Sequence, residues 1–294
     1  MEILIILHKF YMRNLFLFLL SPALLYSGVP KSTVAAEIDD INSSYRVIAL
    51  TSFSADLVNR ISPESLVAIP SSKLLQNNLS ISSLPKISSG RNQPSIEKII
   101  SLKPDFVIGA KGFHDKTLSK LNVLGINIIS HDINNFDSMQ LFANKISNNL
   151  SMAPILIEDY IPSCFLNDSS KQSKVNPLLV VVSFKPIISP TSSSWSGSLL
   201  RHLKIPSLTS NLPGSGQYSG YATLSPEWII KSNPKSLAVI TFPGTDLPQL
   251  SQKPIWNSLS AVKTNNIKFL NYYGLINPGS LTSVDNTCKK LLAI

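Results

Sequence analysis

The stretch Pro94–Gly109, PSIEKIISLKPDFVIG, returns as Leu224–Val239, LSPEWIIKSNPKSLAV, at a constant offset of 130 positions. The aligned identical residues include Glu97 and Glu227, Ile99 and Ile229, Ile100 and Ile230, and Pro104 and Pro234. Each copy predicts one short helix that begins near a proline and ends before a second proline, followed by a buried strand. Because solenoid repeats recur every 20–50 residues or so, the longer offset predicts two similar α/β lobes in tandem.

Two further runs extend this pattern. Arg46–Thr51 (RVIALT) and Leu178–Ser183 (LLVVVS) are apolar at consecutive positions, as in parallel strands covered on both faces. The residues that follow the first run, up to Ile61, have helical periodicity. A helix over Lys116–Leu124 and a strand over Ile126–Ser130 complete the first lobe.

The segment between the lobes, Phe136–Asp168, is predicted to be rich in helix. Apolar residues recur at helical spacing at Met139, Leu141, Phe142, Ile146 and Leu150. A second periodic stretch begins at Pro154, and Pro162 should kink or end it. The polar residues Asn167–Asn176 predict a surface loop.

The first 36 residues have the features of a secretory signal peptide. Lys9 and Arg13 are basic, Asn14–Val29 is apolar, and small residues allow cleavage after Ala36. Met12 is an alternative start. A retained membrane anchor is the other interpretation, but the apolar run is shorter than the roughly 20 residues that span a bilayer. The predicted organisation is a signal peptide at 1–36, an N-terminal lobe at 37–135, a helical linker at 136–175 and a C-terminal lobe at 176–294.

The charge and the positions of the cysteines limit the possible functions and cellular locations of the protein. Cleavage would remove three basic residues and one acidic residue, reducing the net charge from +9 to +7. No basic run reaches the five residues typical of nucleic-acid-binding tracts, so the charge suits an anionic ligand or surface, or general solubility. No cysteine precedes Cys164, so we expect a periplasmic protein without a lipid-carrying cysteine. Cys164 and Cys288 could form a disulfide or remain two buried thiols.

Three blocks resemble, in order, the substrate-binding proteins of ABC importers for iron siderophores, haem and cobalamin. They are RVIALTSFSADLVNRISPESLVAI at 46–69, PSIEKIISLKPDFVIGA at 94–110 and KPIWNSLSAVKTNNIKFL at 253–270. The resemblance implies an α/β fold of two lobes with central parallel sheets, joined by a stiff helical backbone, with a ligand cleft between the lobes and little closure. The connecting region around Pro162 departs from the family's long helix.

The resemblance also implies partners. Glu97 and Glu227 match the family's two docking carboxylates, one on each lobe, which engage an ABC permease dimer with its ATPase. The other interpretation is that both are acidic residues in the first turn of a helix, where the dipole favours them by about 0.3–1 kcal/mol. The expected protein is a monomer that captures a ferric siderophore or cobalamin-like chelate and has no cofactor of its own.

Candidate ligand-binding residues lie in loops that follow the carboxyl ends of predicted strands. They are Ser52, Phe53, Arg91, Lys111, Phe184, Trp195, Tyr218, Tyr221, Tyr272 and Tyr273. The same loops contain Thr51, Ser54, Ser71, Ser72, Phe113, His114, Lys185 and Phe242. Aromatic rings with scattered cations suit a large, flat or aryl-bearing anion. About half of the set is expected to touch the ligand, whereas several of the aromatic residues are expected to be core and the lysines to be solvated.

Other functions are less favoured. His114, His131 and His202 have no ligand-like spacing, so no bare-metal site is predicted, although haem ligation by His114 or a tyrosine is an alternative. An α/β enzyme lacks support because no nucleophile elbow, phosphate-binding loop or dinucleotide fingerprint is present. The segment with Gly214, Gly216 and Gly220 is interpreted as a flexible cleft loop. A stand-alone ligand sensor of the same fold is the remaining alternative.

Overall fold

Two parallel sheets, one from each half of the chain, organise the structure. The computed structural model describes residues 44–88, 92–166, 176–214, 219–242 and 250–293. The predicted signal peptide lies outside these residues, and the chain from Ser44 onward forms one compact unit. None of the helices described is long and apolar enough to cross a membrane.

The first sheet has four parallel strands in the order β2-β1-β3-β4. The elements of this half are β1 (Val47–Ala49), α1 (Ser52–Ile61), β2 (Leu66–Ala68), α2 (Leu79–Ser82), α3 (Ile96–Ser101), β3 (Phe106–Ala110), α4 (Asp115–Val123) and β4 (Asn127–His131). Short 3-10 helices at Pro63–Ser65 and Lys73–Leu75 lie between them. The strand, helix and strand elements predicted here are confirmed to within one or two residues.

A single longer helix, α5 (Phe136–Asn149), leads out of the first sheet. The second half contains β5 (Leu178–Val181), β6 (Ser183–Phe184), β7 (Ile187–Pro190), α6 (Trp195–His202), β8 (Tyr221–Leu224), α7 (Pro226–Ser232), β9 (Ser236–Thr241), α8 (Pro254–Asn257), α9 (Ser260–Lys263), β10 (Ile267–Asn271), α10 (Tyr272–Leu275) and α11 (Leu281–Leu292). A 3-10 helix covers Leu250–Gln252. Its parallel sheet has the order β10-β9-β5.

The two repeat copies form the same unit in both halves, as predicted. Each gives a short helix and then a strand that pairs with parallel neighbours on both sides: α3 precedes β3, and α7 precedes β9. Ser95 and Ser225 cap the helices by accepting hydrogen bonds from backbone N–H groups three residues later. Lys103 and Asn233, at φ values of 45° and 37°, occupy the left-handed region before each second proline.

The halves differ after their first strand. Whereas β1 leads directly into a helix, β5 leads into an antiparallel sheet of order β6-β7-β8. In the first sheet, β2 pairs with the outer edge of β1. The equivalent edge of β5 carries a short parallel bridge between Leu178 and Ser207. The second lobe is therefore the same parallel unit with an inserted antiparallel sheet.

Alternation along the strands divides the core into three clusters. In β5, Leu178 and Val180 belong to one cluster, whereas Leu179 and Val181 belong to another. The cluster around Leu179 is confined to the second half, and a counterpart around Ile48 is confined to the first half. The third and largest cluster contains residues of both halves. Since successive strand side chains point to opposite faces, each sheet packs on its own helices with one face and on the shared cluster with the other.

The linker differs from the helix-rich prediction. Helix α5 is confirmed, but the stretch from Pro154 forms only 3-10 helices at Ile157–Asp159 and Pro162–Cys164. Proline cannot donate a backbone hydrogen bond and clashes with the preceding turn, which explains why apolar periodicity did not produce a second helix. Residues 167–175, predicted as a loop, lie outside those described.

The C-terminal helix α11 fastens the second half to the first half and to the linker. The buried carboxylate of Asp56 in α1 accepts hydrogen bonds from the Leu281 N–H at 2.8 Å and from Arg60 Nε at 3.0 Å. Cys164 of the linker and Cys288 of α11 form a disulfide, so the two cysteines are paired. Asp285 accepts a hydrogen bond from a linker N–H as well, at 2.8 Å.

We expect Asp56→Ala to lower the free energy of unfolding by about 2–3 kcal/mol, because it leaves the buried Leu281 N–H without an acceptor. Asp56→Asn keeps an acceptor oxygen and should cost less. Denaturant unfolding at pH 7 measures both, with the exposed Asp159→Ala as the matched control. Equal stability of Asp56→Ala and the control would contradict this role.

Candidate functional site

A cavity of about 490 Å³ lies at the carboxyl end of the first parallel sheet. Most of its wall comes from loops of the first half, and the opposite side is formed by Tyr273 and the segment 277–279 of the second half. The first-half lining residues are Leu50, Thr51, Ser52, Phe53, Pro70, Ser71, Ser72, Leu74, Ser88, Asn92, Pro94, Ala110, Lys111, Phe113, His114, His131, Asp132 and Ile133. The cavity is thus located between the two lobes.

The parallel arrangement of the strands explains why these loops meet. Strands β1, β3 and β4 end side by side, and the residues after each strand enter the wall. Thr51, after β1, also caps α1 by accepting a hydrogen bond from the Ser54 N–H at 3.1 Å. The cap fixes where the adjacent Ser52 and Phe53 begin the helix.

Four of the predicted ligand-binding residues line the cavity: Ser52, Phe53, Lys111 and Tyr273. Phe53 is mostly buried, and its ring centroid lies 6.3 Å from that of Phe142 in α5. Lys111 is exposed. The predicted residues Arg91 and Tyr218 lie outside those described, so their part in the site stays a prediction.

The other predicted second-lobe aromatics lie away from the described cavity wall. Trp195 is buried, and its indole N–H donates to the carbonyl of Gly274 at 2.9 Å. Phe184 packs edge-on against Trp256, with the Nζ atom of Lys253 4.6 Å from its ring centroid. Phe184 therefore contributes to packing within the second half, whereas Trp195 belongs to the core cluster shared by both halves.

Two tyrosines from the prediction occupy intermediate positions. Tyr272 stacks on Phe242 at a centroid distance of 5.2 Å and meets the edge of the cavity-lining Tyr273 at 5.3 Å. Tyr221, at the start of β8, is partly buried, and this burial raises the pKa of its phenol. Tyr272 therefore supports a wall residue, whereas Tyr221 belongs to the antiparallel sheet.

His131 was not singled out from the sequence as a ligand contact, but it lines the cavity at the end of β4. Its Nε2 atom lies 3.3 Å from the Thr51 hydroxyl oxygen, and its ring packs on Phe142 at 4.4 Å. Its Nδ1 atom is sealed from solvent and has no hydrogen-bond partner in the described part of the chain. Burial, with a smaller contribution from the nearby His114, lowers the pKa of His131 to about 4. The ring is therefore neutral at pH 7.

His114 lies beside it and is held more firmly. Its Nδ1 atom accepts a hydrogen bond from the Ala110 N–H at 3.1 Å, and burial lowers its pKa. A side chain at Gly109 would place a Cβ atom 3.0 Å from the His114 Cβ, so glycine makes this close approach feasible. The rule that strands deliver polar groups at their carboxyl ends identified His114 from the sequence and could have identified His131 as well.

Hydroxyl groups are the most numerous polar groups of the described wall, and all of them except that of Ser88 belong to the loops predicted from the sequence. Thr51, Ser52, Ser71, Ser72 and Ser88 line the wall, together with one cation, Lys111, and one anion, Asp132. Across the described ranges, no group of three or more His, Cys, Asp or Glu side chains could hold a metal ion. This arrangement can hydrogen-bond a polar ligand from several directions.

The predicted docking carboxylates occupy equivalent positions. Glu97 and Glu227 are each the second residue of their helix, α3 and α7, and both are exposed. Hydrogen bonds from its own backbone N–H and from the Ser225 hydroxyl lower the pKa of Glu227. Both side chains are available for contact with another molecule.

Comparisons with known proteins agree with this fold. Residues 166–273 match the family model described as periplasmic binding protein. The iron-uptake system-binding protein of Bacillus subtilis (strain 168) is 26% identical over 189 residues, covering 60% of this chain and 57% of that relative. The match thus spans little more than half the length of the relative.

Solved structures match over a larger share of the chain. A periplasmic haem-binding protein from Roseiflexus sp. RS-1 has a TM-score of 0.63 at 17% identity, covering 85% of this chain and 98% of its own. An ABC transporter substrate-binding protein from Listeria monocytogenes EGD-e has a TM-score of 0.64 at 18% identity, covering 84% and 98%.

The chain has a bilobal α/β fold, like that of the matching binding proteins. More specifically, the resemblance to the periplasmic binding proteins of the iron, haem and cobalamin type is confirmed. The matching proteins are described as binding proteins, not as enzymes.

The lowered pKa of His131 predicts a pH-dependent stability. The unfolded chain takes up a proton near pH 6.5 and the folded chain only near pH 4, so stability present above pH 6.5 is lost as the pH falls through this window. Between pH 7 and 4.5, the wild type should lose roughly 2–3 kcal/mol more unfolding free energy than His131→Gln. Denaturant unfolding at both pH values measures this difference, and parallel pH profiles would contradict it.

Proposed function

We propose that this chain captures an iron chelate outside the cytoplasm and delivers it to the permease dimer of an ABC importer. The observation that carries the proposal is the cavity between the lobes, walled by strand-end loops on one side and by Tyr273 and the segment 277–279 on the other. Its volume is in the range of about 300–1,000 Å³ typical of small-molecule sites. A cavity shared by two lobes suits capture and release of a ligand.

The wall chemistry favours an oxygen-rich chelate. Hydroxyl groups such as those of Ser52, Ser71 and Ser72 donate and accept hydrogen bonds, and Lys111 adds a cation for an anionic oxygen. A ferric siderophore presents such oxygens over much of its surface. The name of the Bacillus subtilis relative, an iron-uptake system-binding protein, supports the same cargo. Cobalamin is the next cargo to test.

Haem is a second candidate because of one observation, the pair of cavity-lining histidines. His131 is neutral at pH 7 and its Nε2 atom lies 3.3 Å from the Thr51 hydroxyl, whereas the Nδ1 atom of His114 is already engaged. An imidazole nitrogen and the phenol of Tyr273 are both axial ligands that haem iron accepts. The Roseiflexus protein, described as haem-binding, has the same fold.

The permease contact follows from the matched glutamates. One exposed carboxylate on each lobe gives a two-point contact that sets orientation and steers encounter more than it adds affinity. A stand-alone sensor would need neither carboxylate. Loss of transport on removing both glutamates therefore separates the importer function from sensing.

Cargo binding should depend on the cavity residues. Ferric hydroxamate and catecholate siderophores, cyanocobalamin and haemin are each titrated against the protein by tryptophan fluorescence. For an anionic ferric siderophore, Lys111→Glu and Tyr273→Ala should each weaken binding roughly tenfold, about 1.4 kcal/mol, through loss of a charged hydrogen bond and of an aromatic contact.

Lys116→Glu is the matched control, since Lys116 is exposed on the neighbouring helix α4 and does not line the cavity. Equal weakening by Lys111→Glu and the control would mean that net charge, not the cavity, determines affinity. A Soret shift of added haemin that is lost in His131→Gln, with no siderophore binding, would favour haem instead.

Transport should depend on the two glutamates together. In native cells lacking the chromosomal copy, Glu97→Ala/Glu227→Ala should reduce uptake of the ⁵⁵Fe-loaded chelate at least tenfold, while the purified variant binds that chelate normally. The exposed linker residue Glu158→Ala is the matched control. Wild-type uptake by the double variant would disprove docking through these carboxylates.

A further inference from the structure

The repeat preserves a pair of isoleucines whose side chains remain exposed at the protein surface. Five positions are identical between the two copies: Ser95 and Ser225, Glu97 and Glu227, Ile99 and Ile229, Ile100 and Ile230, Pro104 and Pro234. The serines cap the helices, the isoleucines at 99 and 229 are fully buried, and the prolines follow the helix ends. Ile100 and Ile230 instead remain 42% and 52% exposed.

Each exposed isoleucine lies beside a glutamate. Residues three apart on a helix lie on the same face, with Cβ atoms about 5–6 Å apart. Helix α3 therefore presents Glu97 and Ile100 together, and helix α7 presents Glu227 and Ile230 together. We name these the α3 patch and the α7 patch. Single exposed apolar residues are ordinary on protein surfaces, but their occurrence at equivalent positions beside equivalent carboxylates is a distinct pattern.

The duplication indicates the kind of partner. Two equivalent patches, one on each lobe, fit a partner that offers two equivalent receiving surfaces, each combining a cation with an apolar contact. A second copy of this chain fits less well, because a two-fold interface through matching patches would bring glutamate towards glutamate. A permease built from two like subunits meets both requirements.

We propose that Ile100 and Ile230 are the apolar anchors of the permease interface, with Glu97 and Glu227 setting orientation around them. This inference rests on the proposed transport function. Burying each isoleucine contributes affinity that an exposed ion pair does not, since exposed pairs contribute little. Ile100→Ser and Ile230→Ser should each weaken permease binding about tenfold, and the double variant about a hundredfold.

The experiment first identifies the contact. A photo-crosslinking amino acid is placed at each of the four patch positions, 97, 100, 227 and 230, or at 141 as the control, in the full chain expressed in native cells. Leu141 is 69% exposed on α5, outside both patches. We expect positions 100 and 230 to capture the same polytopic membrane protein and position 141 not to capture it. Capture of a second copy of this chain instead would overturn the proposal.

The captured permease, reconstituted in nanodiscs, then gives the affinity. Ile100→Ser/Ile230→Ser should bind it about a hundredfold more weakly than wild type and than Leu141→Ser, with unchanged unfolding free energy and chelate binding. Wild-type affinity of the double variant would overturn the role of the isoleucines. In that case, loss of permease binding by Glu97→Ala/Glu227→Ala would still support the proposed transport function. If none of the four patch positions captures a membrane protein, both the transport proposal and the anchor proposal are overturned.

Discussion

The attachment of the C-terminal helix to the first lobe sets the geometry on which the rest depends. The Asp56 carboxylate holds the amino end of α11 through the Leu281 N–H. Tyr273 and the segment 277–279, just before α11, form the second-lobe wall of the cavity, and the first turn of α1 forms part of the opposite wall. Because Asp56 lies in that same helix α1, one buried hydrogen bond connects the two walls of the cavity through α1 and α11. The disulfide between Cys164 and Cys288 fastens the other end of α11 to the linker.

Shared packing joins the two lobes, and this connection does not require one long connecting helix. Helix α5 contacts both halves: Phe142 meets Phe53 and His131 under the cavity, while Phe136 packs against Trp195 and stacks on His202 of α6. The largest core cluster likewise contains strand residues of both sheets. Separating the lobes would expose this apolar surface, at roughly 25 cal/mol for each Å². The broken linker after α5 is therefore compatible with a bilobal protein whose lobes move little.

Local signals explain what the sequence could predict. The repeated helix and strand units carry their own start and stop residues, and buried parallel strands are recognisable as short apolar runs. The rule that ligands bind at the carboxyl ends of strands placed Ser52 and Lys111 at the cavity. The roles of the aromatic residues were harder to predict, because a ring such as that of Trp195 can pack in a core as readily as it can contact a ligand. The pairing of Cys164 with Cys288, 124 positions apart, depends on tertiary packing that spacing does not encode.

The same constraint links the cargo cavity to the proposed docking patches. Helices α3 and α7 each precede an interior strand of a parallel sheet, β3 or β9, so each patch is fixed to the framework of its own lobe. The spacing between the patches then follows from how the lobes are joined, through α5, α11 and the shared core. Two-point recognition by a partner requires that this spacing be constant. Weakening the Asp56 contact would therefore disturb cavity and patches together, although it lies in neither.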